Sequence, residues 1–152
     1  MNVTSSAFKE GERIPKEYTG EGKDQSPPLA WSGVPTGVKS FALVCEDPDA
    51  PRGIWVHWVM FNLSPNVQEL PAAVPTTSAV LDGASQGTND FDKVGYGGPM
   101  PPRGQTHRYY FIVYALDTKL DMKAGSTRRQ DLLDAMKGHV LAQGQLMGTF
   151  GR

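Results

Sequence analysis

Three apolar runs frame the chain. SFALVCED (40–47) reads as a buried strand ending at Asp47, and IWVHWVMFNL (54–63), rich in aromatic and β-branched residues, reads as a second. The second run is apolar on both faces, as a central or sandwich strand would be. HRYYFIVYALD (107–117) is a third strand, whose alternate residues His107, Tyr109, Phe111, Val113 and Ala115 share one face. One helical pattern follows. Thr127 and Gln130 have the spacing of a capping box, and Leu132, Leu133, Met136 and Val140 form an apolar stripe, which predicts a helix over about 128–142. One helix laid on several strands makes a mainly β fold, in a single domain over residues 1–152.

Between the strands the punctuation is dense. DPDAPRG is a turn, because proline fixes φ and the residue before it avoids the helical region. SPNVQELPAAVP reads as loop. The segment 81–107, rich in Gly, Pro and Asn, is a long loop of the kind that carries function in a compact domain.

Composition narrows the classes. With 15 basic and 16 acidic residues intermixed and a net charge of −1, broad electrostatic binding to nucleic acid is not expected, and STRRQ holds the only Arg-Arg pair. The single cysteine, Cys45, forms no intramolecular disulfide and reads as a small buried hydrophobe. The N-terminus has no apolar signal region and no run approaches a membrane span, so the expected location is the cytoplasm.

The candidate chemistry gathers around Asp47, Asp49, His57 and His107. Both histidines sit at or near the start of a strand, and both aspartates leave the strand that precedes His57. If the two histidine strands are neighbours, both imidazoles face one pocket at the sheet edge, within reach of the acids. The bare residues fit the opposite reading equally well: a core histidine satisfied by a backbone carbonyl, beside two acids that stabilise their turn. No short-spaced ligand motif signals a metal, and no G-x-S-x-G signals a nucleophile; GYGGP is not followed by the Lys of a phosphate loop. His139 falls at the edge of the helix stripe, where packing is its expected job. Arg108 alternates away from His107 and is expected to brace the loops by pairing with an acid.

Together SPPLAW (26–31), DPDAP (47–51), WVHWVMFNL (55–63), GTNDFDKVGYGGPMPPRGQTHRYYF (87–111) and GQLMGTF (144–150) resemble the phosphatidylethanolamine-binding, or Raf-kinase-inhibitor-like, family, in its bacterial and archaeal branch. The combination of DPDAP with the later GPMPPRG and HRYYF is its most specific part. The resemblance implies a large antiparallel sheet packed on a smaller one, as a β-sandwich, with a C-terminal helix. It also implies a small anion-binding cavity with Asp47, Asp49, His57, His107 and Tyr109 in or around it and a rim of Gly98, Pro101 and Pro102. Neither a metal, a cofactor nor a catalytic residue is implied. The implied role is non-catalytic binding of phosphate-bearing ligands, namely a phospholipid head group, a phosphate monoester or a phosphorylated partner. The alternatives are inhibition of a kinase or serine protease through a surface loop, or phosphate-ester hydrolysis or lyase chemistry using His57 and His107. A homodimer fits this branch. Two departures stand out: one residue fewer between the prolines and HRY than in the longer animal members, and Phe150 where a tyrosine is frequent.

Carboxylates in an anion pocket repel their ligand unless protons intervene. The expectation is that an aspartate holds a histidine's second nitrogen, favouring the imidazolium and leaving its outer N–H for the anion, that the two acids share a proton, and that phosphate binding tightens from about pH 8 towards 6.

Overall fold

In a computed structural model of the chain, which describes residues 1–81 and 83–152, the three apolar runs become the middle of one large sheet. The strands are β1 (Asn2–Thr4), β2 (Leu29–Ser32), β3 (Ser40–Asp47), β4 (Trp55–Leu63), β5 (Glu69–Leu70), β6 (Ala79–Val80), β7 (Ala84–Gln86), β8 (Thr106–Leu116) and β9 (Val140–Gly151), with one α-helix, α1 (Arg129–Met136). The order β6-β7-β4-β3-β8-β9 makes a six-stranded antiparallel sheet, and β1-β2-β5 make a three-stranded one.

Strand β3 is buried along its whole length because both of its faces are covered. Phe41, Leu43 and Cys45 point into the core shared with the small sheet, beside Leu29, Trp31, Trp58, Met60, Phe111 and Phe150. Ala42 and Val44 point the other way, where Leu132 and Met136 of α1 close a second core over Val59 and Phe61. A continuous apolar run is therefore what this position requires, since alternation survives only where one face meets water. On β8 that alternation is visible: Tyr109, Phe111, Val113 and Ala115 are buried in the sandwich core.

The C-terminus departs from the sequence expectation. The helix stops at Met136, Gly138 turns the chain at φ +81, and Val140 belongs to a strand that pairs with β8 from Thr106–Gly151 to Leu116–Val140. Only Leu132 and Met136 of the expected stripe are fully buried, and Val140 is 42% exposed. A long partner strand outcompetes two further helical turns because it satisfies the whole edge of β8. The cap shifts by one residue: the Arg128 N–H donates to Asp131, while Thr127 and Gln130 bond elsewhere. His139, now beyond the helix, pairs with Asp117 at 2.8 Å with both side chains nearly half exposed. Short strands β5 and β7 also interrupt the two segments expected to be loop.

Candidate functional site

The sheet order explains how residues far apart in sequence meet. β3 runs antiparallel to both β4 and β8, so its C-terminal end, at Asp47, lies beside the starts of both. His57 and His107 are therefore not on neighbouring strands; they flank the strand that carries Asp47 and still meet at one end of the sheet. A local irregularity aims His57. Glu46 pairs with Val56 and Cys45 with Trp58, which leaves His57 as the surplus residue of a β-bulge. A bulge lets two successive side chains take the same side of a sheet. His57 thereby joins the face of Trp58 and Tyr109, with its ring centroid 5.2 Å from that of Tyr109.

A cavity of about 180 Å³ opens at this end of the sheet, and Asp47, His57, His107, Tyr109, Pro101 and Pro102 line it. Ala50, Pro51, Trp55, Phe91 and Met100 complete the wall. Trp55, Phe91 and Met100 are 37%, 38% and 44% exposed, so the mouth has an apolar collar. Asp49 is not in the wall. Its carboxylate turns outward to Arg108, accepting from Nη2 at 2.7 Å and from both Nε and the backbone N–H at 2.9 Å. The guanidinium holds the Asp49 carboxyl at about 2. It stays ionised at neutral pH, so the expected proton shared between Asp47 and Asp49 has no basis, while the expected bracing role of Arg108 is met. Gly98 faces a neighbouring cavity of about 190 Å³ that shares Phe91 and Met100. Its N–H donates to Asp24 Oδ1 at 2.7 Å, and a Cβ there would stand 2.7 Å from both that oxygen and the Tyr18 carbonyl, so glycine is required by close approach.

The carboxylate in the wall is fully engaged. Asp47 Oδ1 accepts from the Asp49 N–H at 2.8 Å and Oδ2 from His107 Nδ1 at 2.6 Å, with both side chains about 5% exposed or less. His107 Nε2 lies 2.8 Å from Gln105 Oε1. This arrangement matches the expected aspartate-held histidine, but for His107 alone. His57 Nδ1 instead meets the Gly97 carbonyl at 2.6 Å. A carbonyl only accepts, so the proton sits on Nδ1 and the Nε2 of neutral His57 carries a lone pair. Among the described residues Nε2 has no protein partner. Burial lowers the His57 pKa from its ordinary value, against the opposing pull of the Gly97 carbonyl, Asp47, Asp90 and Asp24.

Tyr109 completes the set. Its ring is wholly buried and its hydroxyl has no hydrogen-bond partner among the described residues. Burial, with Asp47 nearby, raises its pKa well above the ordinary phenol range, so the hydroxyl stays a donor. Such an orphan costs about 1–3 kcal/mol unless something occupies the space it faces. Phe150, singled out in the sequence, pairs with His107 across the strands but lies in the core, with Arg13 stacked 4.6 Å over its ring.

Several wall residues escaped the sequence reading. Phe91 is a lone aromatic in a loop of Asn, Asp and Lys, and its ring packs edge-on against Trp55 and His57 at 5.5 and 5.4 Å. Behind the wall, Arg152 donates to the Pro101 carbonyl at 2.7 Å and so ties the proline rim to the end of β9. No group of three or more His, Cys, Asp or Glu among the described residues could hold a metal ion, and no helix among them is long and apolar enough to cross a membrane.

Comparisons with known proteins agree with this architecture. The family model described as phosphatidylethanolamine-binding protein matches residues 4–151. The UPF0098 protein of Methanothermobacter thermautotrophicus is 49% identical over 152 residues, covering 100% of this chain and 99% of its own. The crystal structure of E. coli YbcL, described as a member of the mammalian PEBP family, is similar with a TM-score of 0.93 at 34% identity, over 99% of this chain and 98% of that one. A phosphatidylethanolamine-binding protein homologue, CT736 of Chlamydia trachomatis, gives 0.90 at 42% identity, over 99% and 97% of the two chains.

Proposed function

This chain belongs to the phosphatidylethanolamine-binding protein family, and from that premise we propose that the cavity bounded by Asp47, His57, His107 and Tyr109 is a non-catalytic binding site for phosphate-bearing ligands. The observation that carries the reading is the Tyr109 hydroxyl, buried without a partner in the wall of an open cavity. A fixed donor left unpaired in a low-dielectric wall is a strong partner for an anionic oxygen, because a hydrogen bond to a charged group is worth about 1.5–3 kcal/mol. The volume suits one phosphate group with a short substituent.

The acid does not oppose this role. Both Asp47 oxygens already accept hydrogen bonds, so the carboxylate presents less unsatisfied charge to the cavity than its position suggests. Among the described residues the wall offers no Ser, Thr, Cys or Lys as a nucleophile, and Cys45 is wholly buried in the sandwich core with its thiol pKa pushed well up by desolvation.

The test is an NMR titration of the protein with inorganic phosphate and with O-phosphorylethanolamine, following the imidazole resonances of His57 and His107. Saturable shifts at both rings are expected. Rings that stay unmoved at every pH between about 5 and 8 would sink the reading.

A further inference from the structure

The wall of this cavity is not uniformly donating. Tyr109 Oη can only donate to an anion, since its proton is held far above neutrality. His57 differs: its Nδ1–H is committed to the Gly97 carbonyl at 2.6 Å, so the nitrogen left for a ligand is a lone pair. The ring is 3% exposed and sits edge-on to Tyr109 and Phe91, so no solvent shell stabilises a charged imidazolium. A fully deprotonated oxyanion facing that lone pair would meet two acceptors with no hydrogen between them.

Resting on the phosphate-site reading above, we propose that the ligand is a phosphate monoester carrying one proton: its P–OH donates to His57 Nε2 while an unprotonated phosphoryl oxygen accepts from Tyr109. The proton that joins ligand and protein then arrives with the ligand. A phosphodiester has no P–OH, so it must draw its proton onto a buried ring. The site thus separates two sources of the same head group, a free or protein-linked monoester and an intact phospholipid, in favour of the monoester.

The charged and titratable groups around His57 are consistent with this. Asp47 stands at the end of β3, Asp90 and Asp24 lie on the flanking loops, and each draws a proton towards His57, yet desolvation outweighs them in the free protein. Asp47 is itself spent on His107, and Asp90 accepts from the Val56 N–H at 2.7 Å. Of the two histidines in the wall, only His57 keeps a nitrogen without a partner among the described residues; His107 has an oxygen at both of its own.

The experiment compares O-phosphorylethanolamine with glycerophosphorylethanolamine, which share the amine but differ in the P–OH, by calorimetry on the full chain. At about pH 6 the monoester is expected to bind at least tenfold more tightly. Its affinity should then fall through the second ionisation of the ligand, near a pKa of about 6, dropping up to about a hundredfold by pH 8. An alkylphosphonate, which loses its second proton at higher pH, should move that fall-off upward by the same interval. A diester that binds as well as the monoester overturns the proposal while leaving the phosphate site standing. So does a fall-off at the same pH for both monoester and phosphonate, which would assign the proton to a protein group. If none of the three ligands binds, the phosphate-site reading fails and the proposal with it.

Discussion

Replacing Tyr109 with phenylalanine removes one oxygen and leaves the ring, so its two consequences can be separated. The ring is fully buried and packs in the sandwich core beside Cys45 and Trp58; that packing is unchanged. The hydroxyl has no partner among the described residues, so its removal relieves a desolvation penalty of about 1–3 kcal/mol, less whatever water in the cavity already recovers. Tyr109→Phe is therefore expected to be as stable as the natural protein or more stable, by about 0–2 kcal/mol, a rise of up to roughly 8 °C in Tm for a chain of this size. Phosphate binding should move the other way. Losing a donor to a charged oxygen costs about 1.5–3 kcal/mol, a weakening of about 10- to 150-fold. Urea unfolding reads the first effect and calorimetry with inorganic phosphate the second. A variant that is less stable by more than about 1 kcal/mol would mean the hydroxyl has a structural partner, and one that binds phosphate unchanged would mean it faces no ligand; either refutes the reasoning.

Four further outcomes follow from the same geometry. Because burial lowers the His57 pKa, the unfolded chain binds the extra proton; stability is full above the ordinary histidine pKa of about 6.5 and is lost as pH falls below it. His57→Leu should flatten that part of the curve in urea titrations at about pH 5, 6 and 7, and parallel curves would contradict the assignment. Arg108→Ala should leave phosphate affinity unchanged, since Asp49 and Arg108 face away from the cavity; a large loss would return Asp49 to the site. Gly98→Ala should cost about 1–3 kcal/mol in thermal melts, because its Cβ meets the Tyr18 carbonyl and Asp24 at 2.7 Å. Arg152→Ala should weaken phosphate binding while leaving the melting temperature nearly intact, as it frees the Pro101 rim but removes no core side chain; unaltered affinity would show that the rim holds its shape unaided.

The central strands were readable because burial on two faces writes an unbroken apolar run, and burial on one writes an alternation. Residues 40–47 form β3 as expected, and β8 differs from expectation by one residue at each end. The last strand was not readable in the same way. Leu132, Leu133, Met136 and Val140 keep a helical spacing across the turn at Gly138, and what decides for the strand is the long edge of β8, a tertiary partner invisible to local pattern. The candidate site was half legible. Asp47, His57, His107, Tyr109, Pro101 and Pro102 do share one cavity, and the resemblance to the family had brought them together. Asp49 was misplaced because an aspartate two residues from another in a turn can face either way, and only the Arg108 backbone and guanidinium choose. Phe91 was missed because an aromatic in a polar loop has no period to betray it. The backbone carbonyl that one of the two sequence readings gave His57 is there, but its source, Gly97 in a loop forty residues away, has no local signal.

The bulge at His57 separates two kinds of information in β4. Val56 and Trp58 hold the register opposite Glu46 and Cys45, and His57 belongs to neither pair. Deleting that one residue would bring Val56 and Trp58 to the spacing of an ordinary ladder against β3, and would remove the two bonds that tie β4 to Gly97 on its other side. The histidine of the proposed site is thus an insertion into the β3–β4 ladder, and a single in-frame codon would suffice to add or erase it. The ladder of β3 and β4 is therefore indifferent to the histidine, while the seat of the Gly97 loop is not, so losing the residue should loosen the cavity wall before it disturbs the sheet.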